Sequence, residues 1–502
     1  MLFNTIDFLI FFPVVLLVYF VLPAKVRYIW LLASSYYFYM CWNPAYIILL
    51  LFSTLVTYVC GRTLEWIRGR GGLNEKNKKR WMKLALFIGF LINIGILIYY
   101  KYTNFLVDTV NMALRAVDLQ PLADFDILLP VGISFYTFQC LGYTIDVYRE
   151  QIRAEKNLVK YALFVSFFPQ LVAGLIERSE NLLRQIHEEP GRKLWNYRRV
   201  TLGLTTMLWG FFMKVVIADR AAVLVNTVFD SYEKYGMVCL AVGVIAFAIQ
   251  IYCDFAGYST IAIGAAQVLG FELMENFNAP YFAEGIIDFW HRWHISLSTW
   301  FRDYLYIPLG GSRCGKRKNY RNILITFTLS GLWHGADWTY VIWGLLHGIY
   351  QILEKELAPV MKKIHSVCHT RTESFGYRLF RTLVTFLLVD VAWIFFRADD
   401  LHQALHYIQR MVTIHDWWSL FNQSIYTLGL NIREMHILLA GLVFLFLVDC
   451  LRDKKKQTLA GFLEEQWIGF RWSVLLGLLF SCIILGCYGP GFDSAQFIYF
   501  QF

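Results

Sequence analysis

The chain has 502 residues, of which 57% are hydrophobic, 18% aromatic and only 17% charged. Soluble domains average about 25% charged and about 45–50% apolar residues, so this composition excludes a water-soluble globule of this size. With 34 Gly and 11 Pro among so many aromatics, it excludes disordered and collagen-like chains as well.

A transmembrane barrel would show alternation over segments of about ten residues. The apolar runs here are continuous, which predicts an all-α, polytopic membrane protein. A span needs about 20 mostly apolar residues, fewer where flanking groups snorkel. In chain order the candidate spans are Phe8–Leu22, Tyr28–Met40, Ala45–Cys60, Leu84–Tyr100, Leu158–Ile176, Val200–Ile217 and Met237–Cys253. Asn322–Trp333 with Val341–Leu353, Leu379–Phe396, His436–Cys450 and Trp472–Cys487 follow. The expectation is about eleven crossings in one integral-membrane domain over residues 1–502, with a motif-bearing core at 127–400 and C-terminal spans at 401–502.

The net charge of +9 is gathered in short stretches between these runs. Arg62 to Lys83, Arg184 to Arg199, Arg313 to Arg321 and Arg452 to Lys456 are the main clusters. In a membrane chain such clusters mark cytoplasmic loops before they mark a nucleic-acid surface, and no nucleic-acid partner is expected. Cytoplasmic basic loops put the N-terminus outside, the acidic Asp108–Asp126 stretch (with Asp118 and Asp124) outside, and the His334–Tyr340 turn toward the outer face. The first basic residue, Lys25, follows the first apolar run, so Phe8–Leu22 reads as a retained span and not a cleaved leader. The ten cysteines include no CxxC pair and sit mostly in apolar runs, where a free thiol acts as a small hydrophobe.

Two segments resist a spanning reading. Ile127–Asp146 is broken by Pro130 and Gly132 and reads as re-entrant or kinked. Asp254–Arg302 mixes apolar residues with His, Arg, Asp and Asn. Irregular or polar backbone survives at membrane depth only inside protein or around a hydrated cavity.

The densest polar-aromatic stretch runs from Asp288 to Tyr304. His291 and His294 are i, i+3 neighbours on a helix, but no third ligand at zinc spacing accompanies them, and no metal is expected. Arg292, His294, Arg302 and Asp303 instead suggest the lining of a hydrated tunnel, because ionisable groups at membrane depth are costly and are retained for function. In the second stretch, Leu329–Tyr340, His334 stands between Trp333 and Gly335, and His347 follows a few turns on. A neutral imidazole there is suited to general-base work; a packing histidine satisfied by a neighbouring helix fits the residues equally well. The His365/His369 and His402/His406 pairs read as solvated faces. No phosphate-binding GxxxxGK[ST] loop, GxGxxG or GxSxG elbow is present.

These residues carry a resemblance. Phe289 to Gly311 (FWHRWHISLSTWFRDYLYIPLGG) and Gly331-Leu-Trp-His334-Gly-Ala resemble the membrane-bound O-acyltransferase family. The likeness extends to Leu129–Tyr136, Ile145–Arg149, Tyr252–Ser259, Phe395–Ala398 and the terminal Tyr499–Phe502, and is greatest to the bacterial branch that O-acetylates alginate, peptidoglycan and cellulose. It implies a ring of spans with re-entrant segments around a central tunnel, His334 and His294 as the catalytic histidines, and Arg292, Arg302, Asp303, Trp333 and His347 as tunnel or substrate-binding residues. It also implies acetyl-CoA as donor with no bound cofactor, an SGNH-type partner outside, a polysaccharide acceptor, and the bacterial cytoplasmic membrane as location. One departure stands out: Leu175 occupies a position where the family usually has proline, which would fix φ and remove an amide.

Two other readings fit part of the sequence. D-alanyl transfer to teichoic acid belongs to a related but typically shorter branch lacking the extension beyond Phe395–Ala398. A transporter or flippase explains the composition equally well, but would show inverted repeats and paired broken helices, and none is visible.

Overall fold

The computed structural model describes residues 1–72, 74–123 and 125–488. Asp124 and the Tyr499–Phe502 terminus, both used above, lie outside the described residues. Among the described residues all regular structure is helical. Seven helical stretches among the described residues are long and apolar enough to cross a membrane: Pro44–Gly69, Glu75–Ala116, Tyr197–Asp230, Met237–Leu269, Phe375–Arg397, Ile432–Lys455 and Ile468–Leu485. Ile6–Val21 and Leu158–Ala173 are shorter apolar helices.

The chain forms two compact units, Met1–Gly203 with Ala262–Met274, and Leu204–Ile261 with the chain from Glu275 onward. Helices of the first are α1 (Ile6–Val21), α2 (Ala24–Met40), α3 (Ile47–Gly69), α4 (Glu75–Leu97), α5 (Thr103–Ala116), α6 (Ile133–Tyr148), α7 (Leu158–Ser166), α8 (Phe168–Ala173) and α9 (Ser179–Glu188). The chain passes between units within α10 (Tyr197–Phe211) and α12 (Met237–Leu269), which flank α11 (Asp219–Asp230). The second unit continues with α13 (Ile286–Arg292), α14 (Ile295–Phe301), α15 (Lys316–His334), α16 (Trp338–Val367), α17 (Phe375–Arg397), α18 (Leu401–Thr413), α19 (Ile432–Lys455), α20 (Leu459–Glu464) and α21 (Ile468–Leu485).

In the first unit, the break expected at Pro130 and Gly132 is present. Gly132 adopts φ 74°, a left-handed conformation that glycine reaches without Cβ strain, and starts α6. Every residue from Ile133 to Val147 is then buried, and polar side chains of the helix find partners inside: Gln139 donates to the Phe164 carbonyl at 2.8 Å, and Asp146 accepts from the Ser179 hydroxyl at 2.7 Å. Aromatic edges fill the space between α1, α2 and α8, with Phe168 5.4 Å from Phe11 and 5.6 Å from Phe38 between ring centroids.

The second unit contains two features that apolar runs do not reveal. α10 and α11 are joined without a break by a π-helical stretch, Phe212–Ala218, so the run read as ending at Ile217 continues to Asp230. Within that stretch the buried Lys214 ammonium meets Asp219 at 2.7 Å and Asp254 at 2.6 Å. A buried cation survives only when paired in this way. The second feature is the α15–α16 hairpin. A Cβ on Gly331 would fall on the carbonyl oxygen of Tyr340, and one on Gly344 on that of Phe327. Hydrogen at these two positions is what lets the backbones close, and the closure holds the C-terminal end of α15, which carries His334.

Candidate active site

Asp254–Arg302 resolves into the C-terminal part of α12, an irregular stretch, and the short helices α13 and α14. The corner between α13 and α14 is where His294 sits. Its φ is 42°, a left-handed backbone rarely adopted by a residue with a Cβ, and such strain persists only where surroundings over-determine it. Asn276 supplies the constraint. Its backbone carbonyl accepts from Ile295 N–H at 3.0 Å, while its side-chain oxygen accepts from the Ser296 N–H at 3.2 Å and the Ser296 hydroxyl at 2.9 Å.

The same oxygen lies 3.1 Å from His294 Nδ1. Because a backbone N–H can only donate, the Ser296 contact identifies that Asn276 atom as the oxygen. His294 Nδ1 must then carry the hydrogen, which leaves Nε2 of the neutral ring as an acceptor. Asn276 is itself steadied by a 3.3 Å bond from its NH2 to the Ser259 hydroxyl.

His334 ends α15 and is buried, with 2% of its surface exposed. Its ring lies 6.0 Å from that of His294, 5.0 Å from Trp333 and from Trp343, and 5.6 Å from Phe396. Trp333 also approaches His294, at 5.9 Å. The structure thus brings His294, Trp333 and His334 into one buried cluster among aromatic rings.

Beside this cluster is a cavity of about 220 Å³. Its wall includes Trp290, Phe301, Phe327 and Ser330, and its polar lining includes Arg302 and Lys355. Ser330 is one helical turn from His334. Arg302 holds the adjacent Asp303 through two contacts of 2.7 and 3.3 Å and remains half-exposed.

Of the expected tunnel residues Arg302 lines this cavity, Trp333 belongs to the histidine cluster, and Asp303, Arg292 and His347 are not in the cavity wall. Arg292 is engaged by Asp288 at 2.9 Å and Asp453 at 2.6 Å, and is absent from the cavity wall. His347 is fully buried behind Trp290, whose indole N–H donates to His347 Nδ1 at 3.3 Å. Asn276 and Ser330 carry no distinguishing sequence signal of their own. Asn276 lies in irregular chain 18 positions before His294, and only the observed fold pairs them.

The sequence profile of the membrane-bound O-acyltransferase family matches residues 36–389. Along full length, the chain is 37% identical to the "Probable alginate O-acetylase AlgI" of Pseudomonas putida, with 100% of each chain covered. It is 34% identical to the "Peptidoglycan O-acetyltransferase" of Helicobacter pylori over 83% of this chain and 80% of that one. Similarity to the "Teichoic acid D-alanyltransferase" of Bacillus subtilis is weaker and shorter, 29% over 45% of this chain and 60% of the relative. With the family profile spanning most of the chain, His294, Trp333 and His334 included, the chain belongs to the membrane-bound O-acyltransferase family.

Proposed function

We propose that this multi-pass membrane acyltransferase moves an acetyl group from a cytoplasmic thioester donor toward O-acetylation of a polysaccharide outside the membrane, with His334 as general base. The observation that carries the reading is the buried His294–His334 pair, 6.0 Å apart, one helical turn from a largely apolar cavity whose lining includes Arg302 and Lys355. The two polysaccharide O-acetyltransferase relatives, each matching at least four-fifths of both chains, support the acetyl group and the type of acceptor.

The cavity, smaller than the roughly 300 Å³ at which drug-sized sites begin, suits a narrow pantetheine-like arm better than a sugar. Arg302 and Lys355 would meet the phosphates of acetyl-CoA. His334 removes the proton from an acceptor hydroxyl as its oxygen forms the new C–O bond. The carbonyl–sulfur bond breaks, and the proton returns from His334 to the departing thiolate. Such a base contributes typically about 10²–10⁴-fold. His294, hydrogen-bonded through Nδ1–H to Asn276, offers Nε2 as an acceptor and so orients the hydroxyl. An SGNH-type partner outside the membrane would pass the group to the polymer, in keeping with the outward placement of the His334 turn read from the basic loops.

Alkali-labile acetate on isolated surface polymers tests this, comparing wild type with His334→Ala at equal membrane levels. Loss of acetate from one polymer fraction is the expected result and names the acceptor. Loss of D-alanine ester instead would replace acetyl by D-alanyl transfer. If neither ester changes, His334 is not the base.

A further inference from the structure

Asp390 has no part in the cluster described above, yet it is a carboxyl group in the middle of an apolar helix, α17, and 5% exposed. Among the described residues neither of its oxygens has a hydrogen-bond partner. Burying a carboxyl without hydrogen bonds costs several kcal/mol, so its surroundings decide what it does.

Those surroundings are given by the packing of α16 on α17. Tyr340 meets Phe396 at 5.0 Å, and Trp343 stacks on Trp393 at 5.7 Å. Numbering rises along one helix as it falls along the other, so the two run antiparallel. One turn beyond Trp343 is His347, and about one turn before Trp393 is Asp390. The two therefore share a level. A second line of contacts agrees. His347 stacks on Phe289 at 6.1 Å, Phe289 on Tyr281 at 6.3 Å, and Tyr281 meets Phe386, one turn from Asp390, at 5.2 Å. Tyr281 also has Asp390 as an electrostatic neighbour.

His347 has a complementary deficit. Its Nδ1 accepts from Trp290, so in the neutral ring Nε2 carries the hydrogen, and that buried N–H has no protein partner. The Trp343 indole N–H, one turn away on the same helix, is likewise unpartnered. Two donors and a two-oxygen acceptor at one level of the α16–α17 packing are the kinds of polar partner, two to four in number, that an ordered water between the helices would need.

We propose that Asp390 and His347 form a buried positioning pair, joined through ordered water, that holds the Trp290 indole in the wall of the cavity beside His334. Asp390 is a positioning residue and touches no reactant. It fixes the His347 tautomer, which keeps Nδ1 open to Trp290, which in turn sets the width of the cavity. Carboxylates steer metal-bound and catalytic imidazoles by the same route. The consequence for donor affinity rests on the cavity being the acyl-donor site; the placement of Trp290 does not.

Two readouts on the full-length protein in membranes separate these. The first is the KM for acetyl-CoA against kcat. The second, independent of any donor, is the alkylation rate of a Ser298→Cys reporter in the cavity wall, followed at the peptide level by mass spectrometry. Asp390→Leu is expected to raise KM about tenfold, the effect of losing one buried hydrogen bond, with kcat within about twofold, and to change the alkylation rate several-fold. Asp390→Asn keeps hydrogen-bonding groups of the same shape and is expected to restore both.

A changed alkylation rate rescued by Asn, with KM unmoved, supports the pair and overturns the donor reading of the cavity. Unchanged alkylation and KM in Asp390→Leu overturn the pair. Should Asp390→Leu fail to accumulate, His347 carries the same test. Gln retains an acceptor for Trp290 and an N–H toward Asp390, whereas Phe retains neither. Equal behaviour of His347→Gln and His347→Phe overturns the proposal; a defect in Phe alone supports it.

Discussion

The imidazole of His334 lies 6.0 Å from that of His294, the two planes inclined by 60°, with His334 closing one helix and His294 standing at a strained corner before another. The arrangement is asymmetric. His294 is tied to Asn276 through Nδ1 at a left-handed corner, and His334 ends a helix with the rings of Trp333, Trp343 and Phe396 5.0 to 5.6 Å away. The two rings should therefore respond differently to substitution.

For His334 neither Gln nor Asn supplies a group that takes up and returns a proton. Both variants are expected to lose about 10²–10⁴-fold in acyl transfer, and to insert normally. His294→Asn retains a short hydrogen-bonding side chain, and asparagine is tolerated at the left-handed backbone of this corner. It is expected to keep measurably more activity than His334→Asn. Acetate transfer per unit of membrane-inserted protein decides the comparison. Equal losses would make the two histidines equivalent and remove the assignment of the base to His334.

Asn276 receives three donors at one oxygen and determines both the corner and the His294 tautomer. Asn276→Ala leaves the Ser296 amide and hydroxyl and the His294 ring without that acceptor. Each buried group left unsatisfied costs about 1–3 kcal/mol, so a loss of at least tenfold in activity is expected, together with a lowered thermal midpoint. Asn276→Asp keeps the acceptor and should recover the larger part of both. If Ala retains wild-type activity, the corner does not depend on this clamp.

His334 and His294 were legible in the sequence because their neighbours form dense, unusual strings of Trp, His and Arg within apolar surroundings. Helix positions were legible for the same reason that makes them membrane helices, namely uninterrupted apolar length. Arg292 shows where that reasoning stops. An arginine inside such a string looks like tunnel lining, but its partner Asp453 belongs to a distant segment read as a basic loop, and only the fold brings the two within 2.6 Å. The π-helical join at Phe212–Ala218 was equally hidden. One extra residue in a turn leaves composition unchanged, and a single polar residue, Lys214, makes no repeating polar face against which to register it. Asn276 and Asp390 share a third cause. A single polar residue carries no periodic signal, and its meaning comes from what lies across from it.

The α15–α16 hairpin predicts its own sensitivity. Gly331 and Gly344 face the opposite helix with hydrogen, and the atoms a Cβ would meet are backbone carbonyls, which cannot rotate away as a side chain can. Overpacking of this kind costs about 1–3 kcal/mol, and here it would also displace the end of the helix that carries His334. Gly331→Ala and Gly344→Ala are each expected to reduce activity more than membrane level. Gly376→Ala, with nothing within 4 Å of the added carbon, is the matched control and should be neutral. Activity retained in both hairpin variants would show that the helices separate without moving His334.

Arg302 separates a structural ion pair from a ligand contact. Its link to Asp303 is half-exposed, and exposed pairs contribute about 0–1 kcal/mol, so Arg302→Gln should change the thermal midpoint little. If its guanidinium serves the donor's phosphates instead, the same variant raises the KM for acetyl-CoA several-fold while leaving kcat nearly unchanged. Arg302→Lys keeps the charge but not the planar fork that grips a carboxylate or phosphate with two parallel bonds, and is expected to fall between the two. Asp303→Asn then serves as the decisive partner variant. It removes the ion pair while leaving the guanidinium in place, so it should preserve or lower KM if Arg302 binds donor, and should copy Arg302→Gln if the pair matters only for structure. Steady-state kinetics of the three variants, beside their unfolding curves in the same detergent, distinguish these outcomes, and a KM that stays at the wild-type value in Arg302→Gln removes Arg302 from donor recognition.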